Sequence, residues 1–168
     1  HGLIRIRWNG RGVPSIRAEH WEDVCWGLGY AHGRDRRFQM EVQRRLASGR
    51  LSEVFSKATL KADSFMRKLD LMGLCERELP LYRPEELSAL QAYCDGVNFR
   101  AERPWAMRLL GMPLTEWTPQ DCLLWVKMMA FGLAANWEQE LLRGQLAATH
   151  PEALETWGAM TAPPGFPT

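Results

Sequence analysis

The stretch Gly27 to Glu53, GLGYAHGRDRRFQMEVQRRLASGRLSE, constrains this chain most, because it combines helical periodicity with polar residues where a plain surface helix would not carry them. At about 100° per residue, Ala31, Asp35, Phe38, Val42, Leu46 and Gly49 share one face. A carboxylate therefore sits among apolar neighbours, where burial without a partner is costly. Within the helix only a protonated His32 lies at pairing distance from Asp35, so the expected partner belongs to another element. Gly27, Gly29 and Gly33 occupy the expected first turns, each costing about 1 kcal/mol against Ala. Lacking a Cβ, they let another backbone or a bulky side chain lie directly on the helix. Ser48-Gly49 reads as the helix end, with Gly49 left-handed.

With 168 residues, 46% of them apolar, the chain is expected to fold as one globular unit with a sizeable core. A net charge of +1, from 21 basic and 20 acidic side chains, gives no long-range pull toward nucleic acid or an anionic membrane. No apolar run approaches the roughly 18 residues of a membrane span. The lysines are Lys57, Lys61, Lys68 and Lys127, and every other basic residue is Arg, which favours fixed, bidentate ion pairing. The first residue is His1, with neither Met nor a basic-then-apolar leader, so a processed product or a trimmed piece is expected. Cys25, Cys75, Cys94 and Cys122 form no CxxC pair, which argues against zinc and leaves buried thiols or two disulfides. An exported protein would favour the disulfides.

Ile4, Ile6 and Trp8 alternate with Arg5 and Arg7 as in a half-buried strand. A turn at Asn9 to Gly12 and a second extended piece, Val13 to Ala18, complete a hairpin, with Pro14 limiting that piece to an edge or a strand start. Two strands alone are marginal in water, so this hairpin is expected to join a sheet supplied from elsewhere. The rest reads as helix. Ser52 to Gly73 suggests one or two short helices, and Pro84 to Val97 a longer one striped by Leu87, Leu90, Tyr93 and Val97. Arg100 to Trp117 reads as irregular. Thr118-Pro119-Gln120-Asp121 opens a helix to about Leu146, with Cys122, Val126, Met129, Leu133 and Trp137 along one face. The tail, Thr161 to Thr168, cannot continue a helix. The division is thus a hairpin (1–18), a helical body (19–160) and an extended tail (161–168), a mainly α chain.

No GxSxG, HExxH or phosphate-cradling glycine loop is present, and His1, His20, His32 and His150 form no ligand pair. These are expected to be surface or structural histidines.

The ordered blocks GVPSIRA, the central stretch, Ala62-Asp63 with Phe65 and Arg67, LQAYCDGVN (Leu90 to Asn98), EWTPQDCLLWVKMMA and NWEQELLR resemble the α subunit of the penicillin acylase family over residues 12 to 143. That resemblance implies a precursor that cuts itself into a small helical α chain and a larger β chain beginning with a nucleophilic Ser. Together they would form the four-layer αββα core of an N-terminal nucleophile hydrolase, exported to the periplasm or the medium of a bacterium. The implied chemistry is hydrolysis of an acyl amide, with no catalytic residue on this chain. His1 is an N-terminus but not a hydroxyl or thiol nucleophile.

By the same resemblance, Met129, Leu133, Ala134, Asn136 and Trp137 would line the acyl pocket, the alternative for Met129, Leu133 and Trp137 being a core stripe. Glu140 would contribute to a structural Ca²⁺ shared with the β chain, the alternative being a helix acid paired with Arg143. Ser15 and Arg34 stand where the family usually has His and Gln. The pocket segment matches the phenylacetyl-specific pattern only at Ala135-Asn136, so β-lactams, acyl-homoserine lactones and lipopeptides all remain open as small-molecule substrates. The rival from another class is a helical binding or assembly subunit.

Overall fold

A computed structural model of the chain describes residues 2–134 and 136–153. The expected tail and the last stretch of the helical body lie outside the described residues. The chain divides into two compact units, His1–Met128 and Met129–Thr168, the division falling inside one helix.

The first unit opens with an antiparallel hairpin, β1 (Arg5–Trp8) and β2 (Pro14–Arg17), in the register Ile6 opposite Ile16 and Trp8 opposite Pro14. Asn9 closes the turn, its Oδ1 accepting from the N–H groups of Arg11 (2.9 Å) and Val13 (3.0 Å). Arg5, Arg7 and Arg17 are exposed, while Ile4, Ile6, Trp8 and Ile16 are half-buried. This is the alternation of a sheet with one covered face. The covered face lies on α1 (Trp21–Ala47) at Gly27, where an added Cβ would stand 2.7 Å from Ile16 Cγ2 and 3.3 Å from Ile4 Cγ2.

Helix α1 starts six residues before Gly27, with Glu22 and Asp23 in its first turn, so the glycines sit inside it rather than at its start. They are the places where α5 (Pro84–Asn98) meets it backbone to backbone. A Cβ on Gly29 would collide with the Tyr93 carbonyl, one on Gly33 would stand 3.0 Å from Val97 Cα, and one on Gly96 would collide with the Trp26 carbonyl. The chain leaves α1 as the sequence suggested, with Gly49 at φ 65°.

The inward face of α1 differs from the expected one. Asp35 is exposed and lies 3.6 Å from its neighbour Arg34. The buried charges are instead Arg37, Glu41 and Arg45. The glycine contact sets the rotation of the helix: with Gly29, Gly33 and Ala31 turned inward, the next inward positions are 37, 41 and 45. Glu41, 2% exposed, takes Arg44 and Arg45 (3.1 Å), and Arg44 reaches Asp121 at 3.0 Å. Arg45 also pairs with Glu53. Arg37 donates to the carbonyls of Val97 (3.5 Å) and Thr115 and to Asn98 Oδ1 (3.4 Å). Asn98 in turn holds Trp117 by two backbone bonds of 2.9 Å. Arginine thus acts here as a fixed fork rather than a surface charge.

The region after α1 is more broken than the one or two helices expected. It contains α2 (Ser52–Phe55), a 3-10 turn, α3 (Leu60–Leu69) and α4 (Leu71–Glu78), with left-handed Asp70 between the last two. Asp63 binds the N–H groups of Leu51 and Ser52, both at 2.8 Å. Burial alone would raise its carboxyl, but those donors hold it below its ordinary range. Within 100–117, expected to be irregular, a short helix α6 (Trp105–Leu109) forms behind Pro104 and stops before Gly111, whose φ is 63°. The core lies under the helix that begins at Pro119, where Leu123 and Leu124 join Ala47, Met66, Leu71 and Cys75. A second cluster gathers Cys94, Val97 and Trp117.

The helix opened by Thr118 ends earlier than expected: α7 spans Pro119–Leu133 and α8 spans Trp137–Thr149. Gly132 weakens the last turn of α7. The helix restarts after Asn136, with Glu138 and Glu140 in the new first turn.

Two stability measurements check this packing. Gly29→Ala, which at an open helix position would add about 1 kcal/mol, is expected to destabilise by about 1–3 kcal/mol through overpacking. An unchanged or higher urea midpoint would contradict the contact. Glu41→Gln, which leaves buried arginines uncompensated, is expected to cost about 3–5 kcal/mol in the same assay. A loss within the range of exposed ion pairs, below about 1 kcal/mol, would mean the charges are solvated.

Candidate functional site

Helix α7 is apolar on two sides. Leu123 and Leu124 face the core, whereas Trp125, Val126, Met129 and Leu133 are exposed. A helix that is hydrophobic all round normally has both sides covered. Met129 is 52% and Leu133 79% exposed.

All five residues expected at the acyl pocket fall in the second unit. Met129 and Leu133 are one helical turn apart, and Ala134 follows, its N–H bonded to the Ala130 carbonyl at 2.9 Å. Asn136 precedes α8 and its carbonyl accepts from Glu140 N–H at 2.9 Å. Trp137, 38% exposed, stacks on Phe131 with centroids 6.1 Å apart and planes at 29°. The break therefore carries a surface of Met, Leu and Trp side chains with an exposed Asn amide. Such a surface has the composition of one wall of an apolar ligand site. The sequence did not single out Phe131, whose only signal is its place six residues before Trp137.

Glu140 does not share a straight face with Met129 and Leu133, because the helix is interrupted between them. It lies 3.7 Å from Arg143, and both side chains are exposed. Among the described residues no cluster of three or more His, Cys, Asp or Glu side chains could hold a metal. Calcium takes about 6–8 oxygens, so Glu140 fits such an ion only as a single donor to a site completed by other groups.

The first unit carries a separate open groove of about 640 Å³ between α1, α5 and α7, lined by His32, Arg36, Met40, Tyr93, Trp117 and Cys122 among others. His32 Nδ1 lies 2.9 Å from the Tyr93 hydroxyl. Burial, then the neighbouring Arg36, holds the imidazole below its ordinary value, which suits the structural role expected of it. Burial likewise raises the Tyr93 phenol. No sequence spacing announced this groove, since it joins residues about 90 positions apart.

Four cysteines are free thiols, so two disulfides are not present. Cys75 is buried beside Met66 and Leu71, while Cys25 lines a surface depression with Trp21 and Glu22. Those are different neighbourhoods. No described helix is long and apolar enough to cross a membrane.

Comparison with known proteins puts this geometry in context. A sequence model of the penicillin amidase family matches residues 4–163. The chain is 33% identical over 149 residues to a protein named acyl-homoserine lactone acylase QuiP from Pseudomonas aeruginosa, covering 86% of this chain and 18% of that relative. It is 31% identical over 138 residues to a penicillin acylase 2 proenzyme from Pseudomonas sp. (strain SE83), covering 80% of this chain and 18% of the proenzyme. The chain thus spans about a fifth of the length of the curated relatives it matches. Among solved structures, a thermostable penicillin G acylase from Alcaligenes faecalis contains a similar chain, with a TM-score of 0.75 at 24% identity. The match covers 100% of this chain and 98% of that one. From the family match along nearly its whole length, the chain belongs to the penicillin amidase family.

Proposed function

We propose that this chain is the α subunit of a self-processed heterodimeric amidohydrolase, whose β subunit begins with the nucleophilic Ser and completes a four-layer αββα body. The observation that carries the reading is the uncovered apolar side of α7 and α8, where Met129, Leu133, Leu141 and Leu142 are all exposed. Large apolar side chains left exposed on two successive helices are a feature of interaction or ligand sites. A proenzyme among the relatives, and a solved chain that this one covers to 98%, support a processed α chain of about this length.

In this reading the β-chain Ser hydroxyl attacks the acyl carbonyl. Its own α-amino group, titrating at about 7.7–8.0, takes the proton through a water, and β-chain donors hold the oxyanion. Met129, Leu133 and Trp137 supply an apolar wall for the acyl chain, and Ala134 and Asn136 lie at the break between them. Burial against this wall favours an aromatic or fatty acyl group by about 25 cal/mol per Å². The relatives are named for penicillin and for acyl-homoserine lactone, and a wall of Leu, Met and Trp suits the acyl part of either. Export to the periplasm or beyond belongs to the same proposal. Glu140 would give one oxygen to a structural Ca²⁺ shared with the β subunit, and the ion would tie the chains together.

The test is amine release from a phenylacetyl-to-decanoyl amide series. Leu133→Ala or Trp137→Ala is expected to change the preference between long and short acyl chains by about tenfold, with little effect on the better substrates. An unchanged ranking would remove the wall assignment, and no amine from any member would favour a binding or assembly subunit. For Glu140, chelation is expected to lower the melting temperature of the wild-type assembly and not that of Glu140→Gln. Equal shifts in both would exclude Glu140 as a ligand.

A further inference from the structure

Cys94 on α5 and Cys122 on α7 are 28 residues apart in sequence, yet their sulfurs lie 3.7 Å from each other. Cys94 is 0% exposed and belongs to the cluster of Val97 and Trp117. Cys122 is half-buried and lines the 640 Å³ groove, so reagents in solvent reach it and not its neighbour. The Trp117 indole N–H donates to Cys122 Sγ at 3.3 Å. Cys122 Sγ thus meets both the Cys94 thiol and the Trp117 N–H.

We propose that Cys94 and Cys122 are a modification site: a dithiol that a disulfide-class oxidant converts into one cross-link between α5 and α7, entering at Cys122 and resolved by Cys94. Cys122 thiolate attacks one sulfur of the oxidant, forming a mixed disulfide and expelling a thiolate. Cys94 Sγ then attacks Cys122 Sγ, the second thiolate leaving with the Cys94 proton. Two thiols are oxidised to one disulfide, and the oxidant takes both electrons and leaves as two thiols.

The electrostatics support this order. The contact between the two thiols holds Cys122 below its ordinary value against burial, and the Trp117 N–H adds to it, although Asp121 opposes. The same contact, with burial, raises Cys94. The attacking sulfur is therefore the accessible one. Mechanically, the bond would join the first turn of α7 to α5, which is already locked to α1 through Gly29, Gly33 and Gly96.

The experiment uses the intact protein, with all its chains, equilibrated with oxidised glutathione, then denatured in an alkylating agent and digested without reductant. Mass spectrometry is expected to find the Cys94 and Cys122 peptides joined, with Cys25 and Cys75 alkylated. Alkylation of both Cys94 and Cys122, or a bond from either to another cysteine, would overturn the assignment. Cys94→Ser is expected to trap glutathione on Cys122, whereas Cys122→Ser leaves Cys94 without an adduct. An adduct on Cys94 and none on Cys122 would reverse the order of attack and refute it. The wild-type peptide map stands even if either variant fails to fold.

Discussion

The direct contact of two helix backbones, α1 and α5, sets the rest of the first unit. Helix axes normally stay about 8–10 Å apart because side chains hold them off. Here Gly29 and Gly33 on one side and Gly96 on the other remove that spacer. Once α1 is turned so that its glycines face α5, the positions that follow inward are Arg37, Glu41 and Arg45. Their charges must be answered inside the protein: Arg37 by the carbonyls of Val97 and Thr115, Arg45 by Glu41 and Glu53, and Glu41 also by Arg44, which in turn reaches the Glu116 carbonyl and Asp121. The arginines thereby fasten an otherwise irregular stretch and the start of α7 onto α1.

Helix α7 transmits that anchoring outward. Asp121 receives Arg44 and also binds Thr118 through its N–H and hydroxyl, both at 2.9 Å. The helix start is therefore pinned by charge and by capping together. Its inner face is fixed by Leu123 and Leu124, and Lys127 is tied to Glu78. On the same stretch of helix, Trp125 and Val126 stay exposed.

Much of this was legible in the sequence. Alternation gave the hairpin, Pro84 and Pro119 marked two helix starts within a residue, and the glycines of α1 pointed to close approach. The misplaced face of α1 has one cause. Periodicity counts apolar residues, and it put Asp35 inside because Ala31, Phe38 and Val42 flank it. The helix rotation was decided instead by backbone contact and by arginines that count as polar yet are buried. The long helix to Leu146 failed for a local reason, since Gly132 favours an end. The expected stripe of Met129, Leu133 and Trp137 is broken by the same interruption, so only Met129 and Leu133 share a helix. The pairing of Cys94 with Cys122, and the groove beside it, had no sequence signal because only tertiary packing joins them.

The central claim is that these helices are one part of an amidase whose attacking hydroxyl arrives on a second polypeptide. Its most direct test is to purify the native particle, separate its chains under denaturing conditions and sequence their N-termini. The account predicts a larger co-purifying chain whose first residue is Ser. Recovery of this chain by itself, stable and monomeric, or of a partner without an N-terminal nucleophile, would contradict it.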